Sequence, residues 1–278
     1  MFSTKIITQL NNYKKTSSEI LRILKEINKL WPNADLNSVQ IKNRLLKLEK
    51  LMGKVESTLL FKEIEDSAGE VKEKIDKIQE TILNKFGVEL ESILAEHHLS
   101  LKGQYPRLQA SFYTMEMDTI RNKVTIWFGP KEEKLERVDL NAQKVGETLV
   151  GLSKKLGCQK KVQEFYDLLE IAYNSLKIKL GKSSEIPLIA LLIEMIPLVQ
   201  DQAFRKSPRK ELYKNYSRAD FAYDLFQYLH SMTNNRTKRP KLTVATRAQT
   251  ADKAKYLWIP QDKQGNGATF STITLNQE

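Results

Sequence analysis

The sequence predicts a mainly α protein of the α+β class, and three changes in the spacing of apolar residues support this. About a hundred residues with helical spacing precede Tyr105, and about another hundred follow Asp139. Between them, and again after residue 240, apolar and polar residues alternate as they do in strands. We therefore expect an antiparallel, coiled-coil-like helical unit first. A helical body should follow, with a small antiparallel sheet built from a central meander and the C-terminal strands.

The first hundred residues contain three helical patterns. Residues 3–31 carry apolar side chains at spacings of mostly three, four or seven, namely Ile6, Leu10, Tyr13, Ile20, Leu24, Ile27 and Trp31. A second helix should begin near Asn37 or Ser38, after the proline at position 32 ends the first. The third, over residues 67–99, has a narrow apolar stripe, which is typical of helices in a hairpin or coiled coil. We expect these helices to form an arm comprising residues 1–101.

The central meander should contain three strands. Residues 109–118 alternate as one strand, and a turn at residues 120–122 leads into a second strand over residues 123–128. Gly129 and Pro130 end that strand, and residues 134–139 can form a third. This meander begins the second predicted domain, residues 102–278.

Four further helices and three strands should complete this domain. The helices are expected from Asn141 to about residue 156, over 159–180, from Ser183 or Ser184 to about Phe204, and over 218–232. Asn141 and Ser217 are suitable N-terminal caps. Strand-like patterns then cover residues 242–246, 255–259 and 269–275.

Composition and charge indicate a cytoplasmic protein that binds a polyanion. The 278 residues carry a net charge of +11, with only one cysteine, Cys158. Residues 1–101 hold 16 basic and 15 acidic residues, whereas residues 200–278 hold 14 and 7. A single cysteine excludes an internal disulfide. The N-terminus lacks a secretory apolar core, and the apolar run over residues 186–199 is too short to span a bilayer, so we expect no membrane partner.

The basic residues of the C-terminal third fall into two clusters. The first comprises Arg205, Lys206, Arg209, Lys210, Tyr213, Lys214 and Arg218, with Phe204 and Tyr216 interleaved. The second comprises Arg236, Lys238, Arg239, Lys241 and Arg247, with no acid among them. Arginine and lysine neutralise phosphates, and tyrosines can stack on bases. The alternative interpretation is a solvated basic rim without a specific partner.

The strongest catalytic alternative lies in the meander. Glu116 and Asp118 share one face of a strand, and Glu132 and Lys134 follow the next strand. Two carboxylates with a nearby lysine are the general layout of a metal-dependent nuclease. However, Glu132 and Lys134 follow Gly-Pro, in a turn. The other candidates are weaker, because His97 and His98 are adjacent on a helix, and Gly181-Lys182-Ser183 lacks the earlier glycine of a phosphate-binding loop.

The sequence favours a non-enzymatic, nucleic-acid-associated subunit of a larger complex that needs no cofactor or metal. Residues 3–99 would contact a protein partner or a second copy, and the basic C-terminal face would contact the phosphates of DNA or RNA. Two alternatives remain open: the metal-dependent nuclease, and a protein–protein adaptor whose charge is incidental.

Overall fold

The computed structural model describes residues 4–53, 59–181, 183–232 and 239–275, with the side chains of residues 4–10 and 59–62 excepted. It confirms the mainly α (α+β) class. The helices are α1 (Thr4–Leu30), α2 (Ala34–Met52), α3 (Leu59–Ala95), α4 (Ala142–Lys155), α5 (Val162–Lys179), α6 (Leu188–Leu198), α7 (Gln202–Lys206) and α8 (Arg218–Ser231). The strands are β1 (Leu101–Gln104), β2 (Arg107–Ala110), β3 (Tyr113–Asp118), β4 (Lys123–Phe128), β5 (Glu133–Asp139), β6 (Ile186–Pro187), β7 (Lys241–Val244), β8 (Leu257–Pro260) and β9 (Gly267–Thr274).

The first three helices pack in antiparallel succession, as the apolar stripes predict. Along α2, Lys42 pairs with Asp76 at 2.7 Å and Glu49 pairs with Lys72 at 2.7 Å, so α3 runs opposite to α2. The buried residues of this unit are Ile20, Ile23, Ile27, Ile41, Leu45, Leu48, Met52 and Ile75. Exposed ion pairs contribute little to stability, so this apolar cluster is the main source of cohesion between the helices.

Helix α3 belongs to two apolar clusters. Its Ile75 is buried with α1 and α2, whereas Phe86, Leu90 and Leu94 are buried with the strands and helices that follow. Helix α4 packs closely against the C-terminal end of α3 at Gly146, where an added Cβ atom would lie 2.6 Å from Cγ2 of Ile93. The same continuous helix therefore contributes to both cores, and the predicted division of the chain after residue 101 stays a prediction.

The meander has five strands in the order β1-β2-β3-β4-β5 rather than the three expected. The prediction of one strand over residues 109–118 is wrong. This segment belongs to two strands, β2 and β3, which are joined by a turn at Ser111 and Phe112, where Ser111 has a φ of 49°. Leu101–Gln104 also forms a strand where the helical part was expected to end. The apolar side chains on one face of the sheet are buried in the core. On this face, Ser153 of α4 donates to the hydroxyl of Tyr113 at 3.2 Å.

The C-terminal strands form a second sheet and do not join the meander, which corrects the expectation of a single sheet. β9 pairs with β7 on one edge, and with β6 and β8 on the other. The helix expected to follow a cap at Ser183 or Ser184 begins later, because β6 (Ile186–Pro187) occupies its expected first turn and α6 begins only at Leu188. Helix α6 contains Pro197 and ends one residue later, at Leu198, with the backbone N–H of Val199 still bonded to the carbonyl of Met195 at 3.0 Å. A separate short helix, α7, then leads into the first basic cluster.

Candidate nucleic-acid interface

The first basic cluster lies on a connector, residues 202–214, that is anchored at its end by a buried glutamine. Gln200 is only 3% exposed. Its Nε2 donates to the carbonyl of Lys214 at 2.9 Å, and its Oε1 accepts from the backbone N–H of Lys214 at 2.8 Å. Because Gln200 also donates to the carbonyl of Ile196 at 3.0 Å, it fastens the end of the connector to helix α6. The connector is therefore held against the body rather than being a free loop.

Two aromatic rings bridge the start and the end of the connector. Phe204 and Tyr213 lie with their ring centroids 5.6 Å apart, at an interplanar angle of 60°. Tyr213 remains 43% exposed, so its ring can also contact a ligand. Tyr216 is buried instead and donates its hydroxyl proton to Asp224 at 2.7 Å, so it cannot stack on a base.

Four cations of the connector are exposed and lack acidic partners. Arg205, Lys206, Arg209 and Lys210 have no carboxylate oxygen within 4.0 Å in the described part of the chain. Lys214 differs, because its Nζ lies 3.5 Å from Oδ2 of Asp201. Arg205 also has a structural contact: it donates to the carbonyl of Leu198, the last residue of α6, at 2.5 Å. The side chains of the other three cations are exposed and form no hydrogen bond or ion pair within the described residues, which leaves their charge available to a polyanion.

The Arg218 side chain is engaged inside the molecule. Its Nε donates to Oε1 of Glu133 at 2.5 Å, and its two terminal nitrogens donate to the carbonyls of Lys253 and Tyr256. The guanidinium carbon also lies 5.6 Å from the ring centroid of Tyr256. Arg218 thus joins the first turn of α8 to β5 and to the segment before β8, so its guanidinium group is occupied by contacts within the protein.

The second basic cluster is described only in part. Arg236 and Lys238 lie outside the described residues, whereas Arg239, Lys241 and Arg247 are exposed. Lys241 is the first residue of β7 and Arg239 lies two residues before it, so both are at the C-terminal sheet rather than on the connector. Arg239 borders a cleft of 460 Å³ between α8 and this sheet, together with His230, Phe226 and Phe270. These cations remain candidate phosphate contacts, separate from the connector.

The carboxylates of the nuclease alternative each have their own partner. Glu116 accepts from the ammonium group of Lys131, and Asp118 accepts from Arg121 at 3.0 Å, with Arg137 3.6 Å away. The hydrogen bonds from Arg121 hold the pKa of Asp118 below its ordinary value. The other two residues lie elsewhere: Glu132 accepts from the hydroxyl of Tyr256 at 3.0 Å, and Lys134 is paired across the sheet with Trp127. Each of these three carboxylates therefore has a protein partner of its own.

No group of three or more histidine, cysteine, aspartate or glutamate side chains that could hold a metal ion occurs in the described segments. Nor does any helix within them have the length and apolarity needed to cross a membrane. Comparisons of the chain with protein-family models, with curated proteins and with solved structures find no match. The candidate interface therefore rests on its geometry and charge alone.

Two features escaped the sequence analysis. The first is a buried network under the N-terminal end of α8, in which Asp220 accepts from the backbone N–H of Gly157 at 3.0 Å and Asp224 accepts from that of Cys158 at 2.8 Å. Burial raises the pKa of Asp224 to about 6 and that of the Cys158 thiol to about 12. The spacing of four between the two aspartates places them on one helix face, and this was the available signal.

The second feature is the outward face of the meander. In Lys123–Phe128 the residues Val124, Ile126 and Phe128 are buried, so the alternation turns Trp127 to the opposite, solvent-facing side. A tryptophan on that side was visible in the sequence. The residues that lie beside Trp127 could not be predicted, because they come from other strands whose register the sequence does not fix.

Proposed function

We propose that the protein is a nucleic-acid-binding subunit whose connector, residues 202–214, contacts the phosphate backbone. The observation that supports this proposal is the group of four exposed cations, Arg205, Lys206, Arg209 and Lys210, without a carboxylate within 4.0 Å in the described chain. A cluster of cations without nearby counter-charges creates a local positive potential, and this potential attracts phosphates.

The anchoring of the connector also favours this function. Gln200 fixes the backbone at Lys214, and the packing of Phe204 on Tyr213 closes the segment on itself. Cations on a fixed segment lose less conformational entropy on binding than cations on a free loop. Contacts between cationic side chains and phosphates position a nucleic acid but do not read its base sequence, so we expect binding with little sequence preference.

The test is a triple variant, Lys206→Ser, Arg209→Ser and Lys210→Ser, measured by fluorescence anisotropy on labelled duplex DNA and duplex RNA. Arg205 is left in place because it also bonds to Leu198. We expect the variant to bind both duplexes more weakly, and to the same degree across unrelated sequences. A matched control, Lys14→Ser, Lys15→Ser and Lys25→Ser, removes the same charge from exposed positions of α1. Equal loss in both variants would mean that only net charge matters, and an unchanged connector variant would refute the proposal.

A second candidate function, protein binding through the helical unit, is favoured by an apolar cleft. The cleft has a volume of 340 Å³ and lies between α1, α2 and α3, with Leu24, Leu45, Ile64 and Val71 among its lining residues. Open apolar grooves between helices accept amphipathic helices from partner proteins. We expect Val71→Lys to reduce any self-association that light scattering detects for the purified chain. A monomeric wild-type protein at all concentrations would exclude a second copy as the occupant and leave a different protein.

A further inference from the structure

The outward face of the five-stranded meander carries an ordered set of polar and aromatic side chains. Residues paired directly across neighbouring strands present their side chains on the same face. The register therefore defines two cross-strand rows on this face. The first row is Lys102, Gln109, Thr114, Trp127 and Lys134, and the second is Gln104, Arg107, Glu116, Thr125 and Arg137.

This face carries an excess of positive charge. Its acidic residues are each matched by a basic neighbour: Glu116 by Lys131, Asp118 by Arg121 and Arg137, and Asp139 by Lys123 and Lys144. Three cations of the rows, Lys102, Arg107 and Lys134, have no carboxylate within 4.0 Å in the described residues. The three carboxylates thus face five paired cations, and these three unpaired cations add to the positive excess that attracts a polyanion.

Trp127 is the aromatic residue of the two rows and lies on β4, beside the edge strand β5. It lies between the small Thr114 and the exposed Lys134 in the first row, and its side chain is partly exposed. Trp258, by contrast, is 4% exposed and packs edge-on against Phe128 in the core. Gln109, in the same row, is bonded to the carbonyl of Gly265 at 3.2 Å, so the loop before β9 borders the row. Part of the Trp127 side chain is thus exposed on the face where a ligand on the sheet would lie, and its indole nitrogen is buried.

The dimensions of the face select among polyanions. Five strands spaced about 4.8 Å apart span about 19 Å, which is wider than the major groove of about 12 Å. The sheet therefore cannot enter a duplex groove. A duplex also keeps its bases stacked on each other, whereas a single strand exposes base faces that can stack on an aromatic ring.

We propose that the outward face of the meander is a platform for single-stranded nucleic acid, with Trp127 stacking on one base and Lys102, Arg107 and Lys134 contacting its phosphates. This inference rests on the proposed nucleic-acid function and extends it to a second surface with a different ligand form. The connector contacts phosphates of either form, whereas the sheet face adds a preference for unpaired bases.

Two substitutions of Trp127 separate stacking from packing. Trp127→Phe keeps an aromatic ring, and it loses no hydrogen bond because the indole nitrogen has no acceptor in the described structure. Trp127→Leu keeps apolar volume but removes the ring. We expect Trp127→Leu to weaken binding of oligothymidylate or oligouridylate between about 5-fold and 150-fold, the range for one stacked base, with duplex binding unchanged. Trp127→Phe should stay close to the wild-type protein.

Tryptophan fluorescence gives a readout that a purely structural role would not move. Titration with the single strand should quench the emission of the wild-type protein, and most of this quenching should disappear in Trp127→Phe although that variant still binds. Thermal melting establishes that each variant is folded. Oligothymidylate and oligouridylate titrations then show whether DNA or RNA is preferred, since both offer the same stacking faces.

The outcomes distinguish this inference from the proposed function. If Trp127→Leu, folded, binds single strands as tightly as the wild-type protein, the platform is refuted whatever the connector does. If Trp127→Leu loses single-strand binding while the connector triple variant binds duplex normally, the connector assignment fails and the platform stands. If the wild-type protein binds neither form at low salt, both proposals are overturned.

Discussion

Asp224 is the residue whose charge conflicts most with its surroundings. It is 8% exposed, and burial raises its pKa to about 6 from an ordinary value of 3.8. A carboxyl group with a raised pKa in the folded state favours folding in its protonated form. Its contribution is therefore fully present below about pH 4 and is lost as the pH rises through about 6. The loss corresponds to about 3 kcal/mol in the free energy of unfolding.

Asp224→Asn should remove this pH dependence. Asparagine keeps an oxygen that can accept from the hydroxyl of Tyr216 and the backbone N–H of Cys158, but it does not ionise. Urea unfolding of both proteins between pH 4 and pH 7 gives the difference in their free energies of unfolding. We expect this difference to move in favour of the variant as the pH rises. A constant difference over that interval would show that Asp224 titrates at an ordinary pKa.

Arg218 shows why residue type alone does not predict a binding role. The sequence places it in a basic cluster, yet its guanidinium group contacts Glu133, Lys253 and Tyr256, which lie 85, 35 and 38 positions away. Partners so distant in the chain are set by the tertiary fold and leave no local pattern. The positions of Arg205, Lys206, Arg209 and Lys210 on an exposed connector followed from Pro208 and the local charge, and the structure keeps them exposed.

We expect Arg218→Ala to lower the free energy of unfolding by about 2–3 kcal/mol, because it removes charge-assisted hydrogen bonds at a partly buried site. Arg209→Ala is the matched control, since Arg209 is exposed, and it should change that free energy by less than about 0.5 kcal/mol. Chemical denaturation of the two variants gives both values. Equal effects would mean that the contacts of Arg218 add no stability.

At the scale of elements, local patterns predicted helices better than strands. Caps at Asn141 and Ser217 are confirmed, because each side chain accepts from a backbone N–H three residues on. The turn at Ser111 and Phe112 was missed because it contains no Gly, Pro, Asn or Asp, and the alternation of the side chains continued across it. The separate C-terminal sheet was missed for a different reason, since strand pairing between distant segments depends on the whole fold.

Helix α3 gives a prediction about how the chain unfolds, because it contributes to both apolar clusters. Ile75 is 1% exposed among α1 and α2, and Leu90 is 0% exposed in the larger cluster. We expect Ile75→Ala and Leu90→Ala each to cost about 2–5 kcal/mol, the range for truncating a buried aliphatic side chain. If the cluster of α1, α2 and Ile75 unfolds separately from the larger cluster that contains Leu90, calorimetry should show two transitions, and each variant should lower a different one. A single transition that both variants lower equally would contradict the predicted domain division.

At the scale of the whole molecule, the net charge of +11 is concentrated in the C-terminal third, and it predicts a strong salt dependence of nucleic-acid binding. Each neutralised phosphate releases counterions, so the affinity falls as salt rises. If the four connector cations each neutralise one phosphate, the slope of log affinity against log salt on duplex DNA should be about −3.6. Anisotropy titrations from about 50 to about 200 mM salt measure this slope.

The slope also shows where on the molecule the phosphates bind. Removing Lys206, Arg209 and Lys210 should leave about one phosphate contact and bring the slope to about −0.9, because each lost contact removes about 0.9 from it. Removing Lys14, Lys15 and Lys25 from α1 changes the net charge equally but should leave the slope at its wild-type value, because long-range attraction alters affinity without changing the number of neutralised phosphates. Identical slopes for the wild-type protein and the connector variant would place the phosphate contacts elsewhere. The exposed cations at the start of the C-terminal sheet, Arg239 and Lys241, would then be the next residues to substitute.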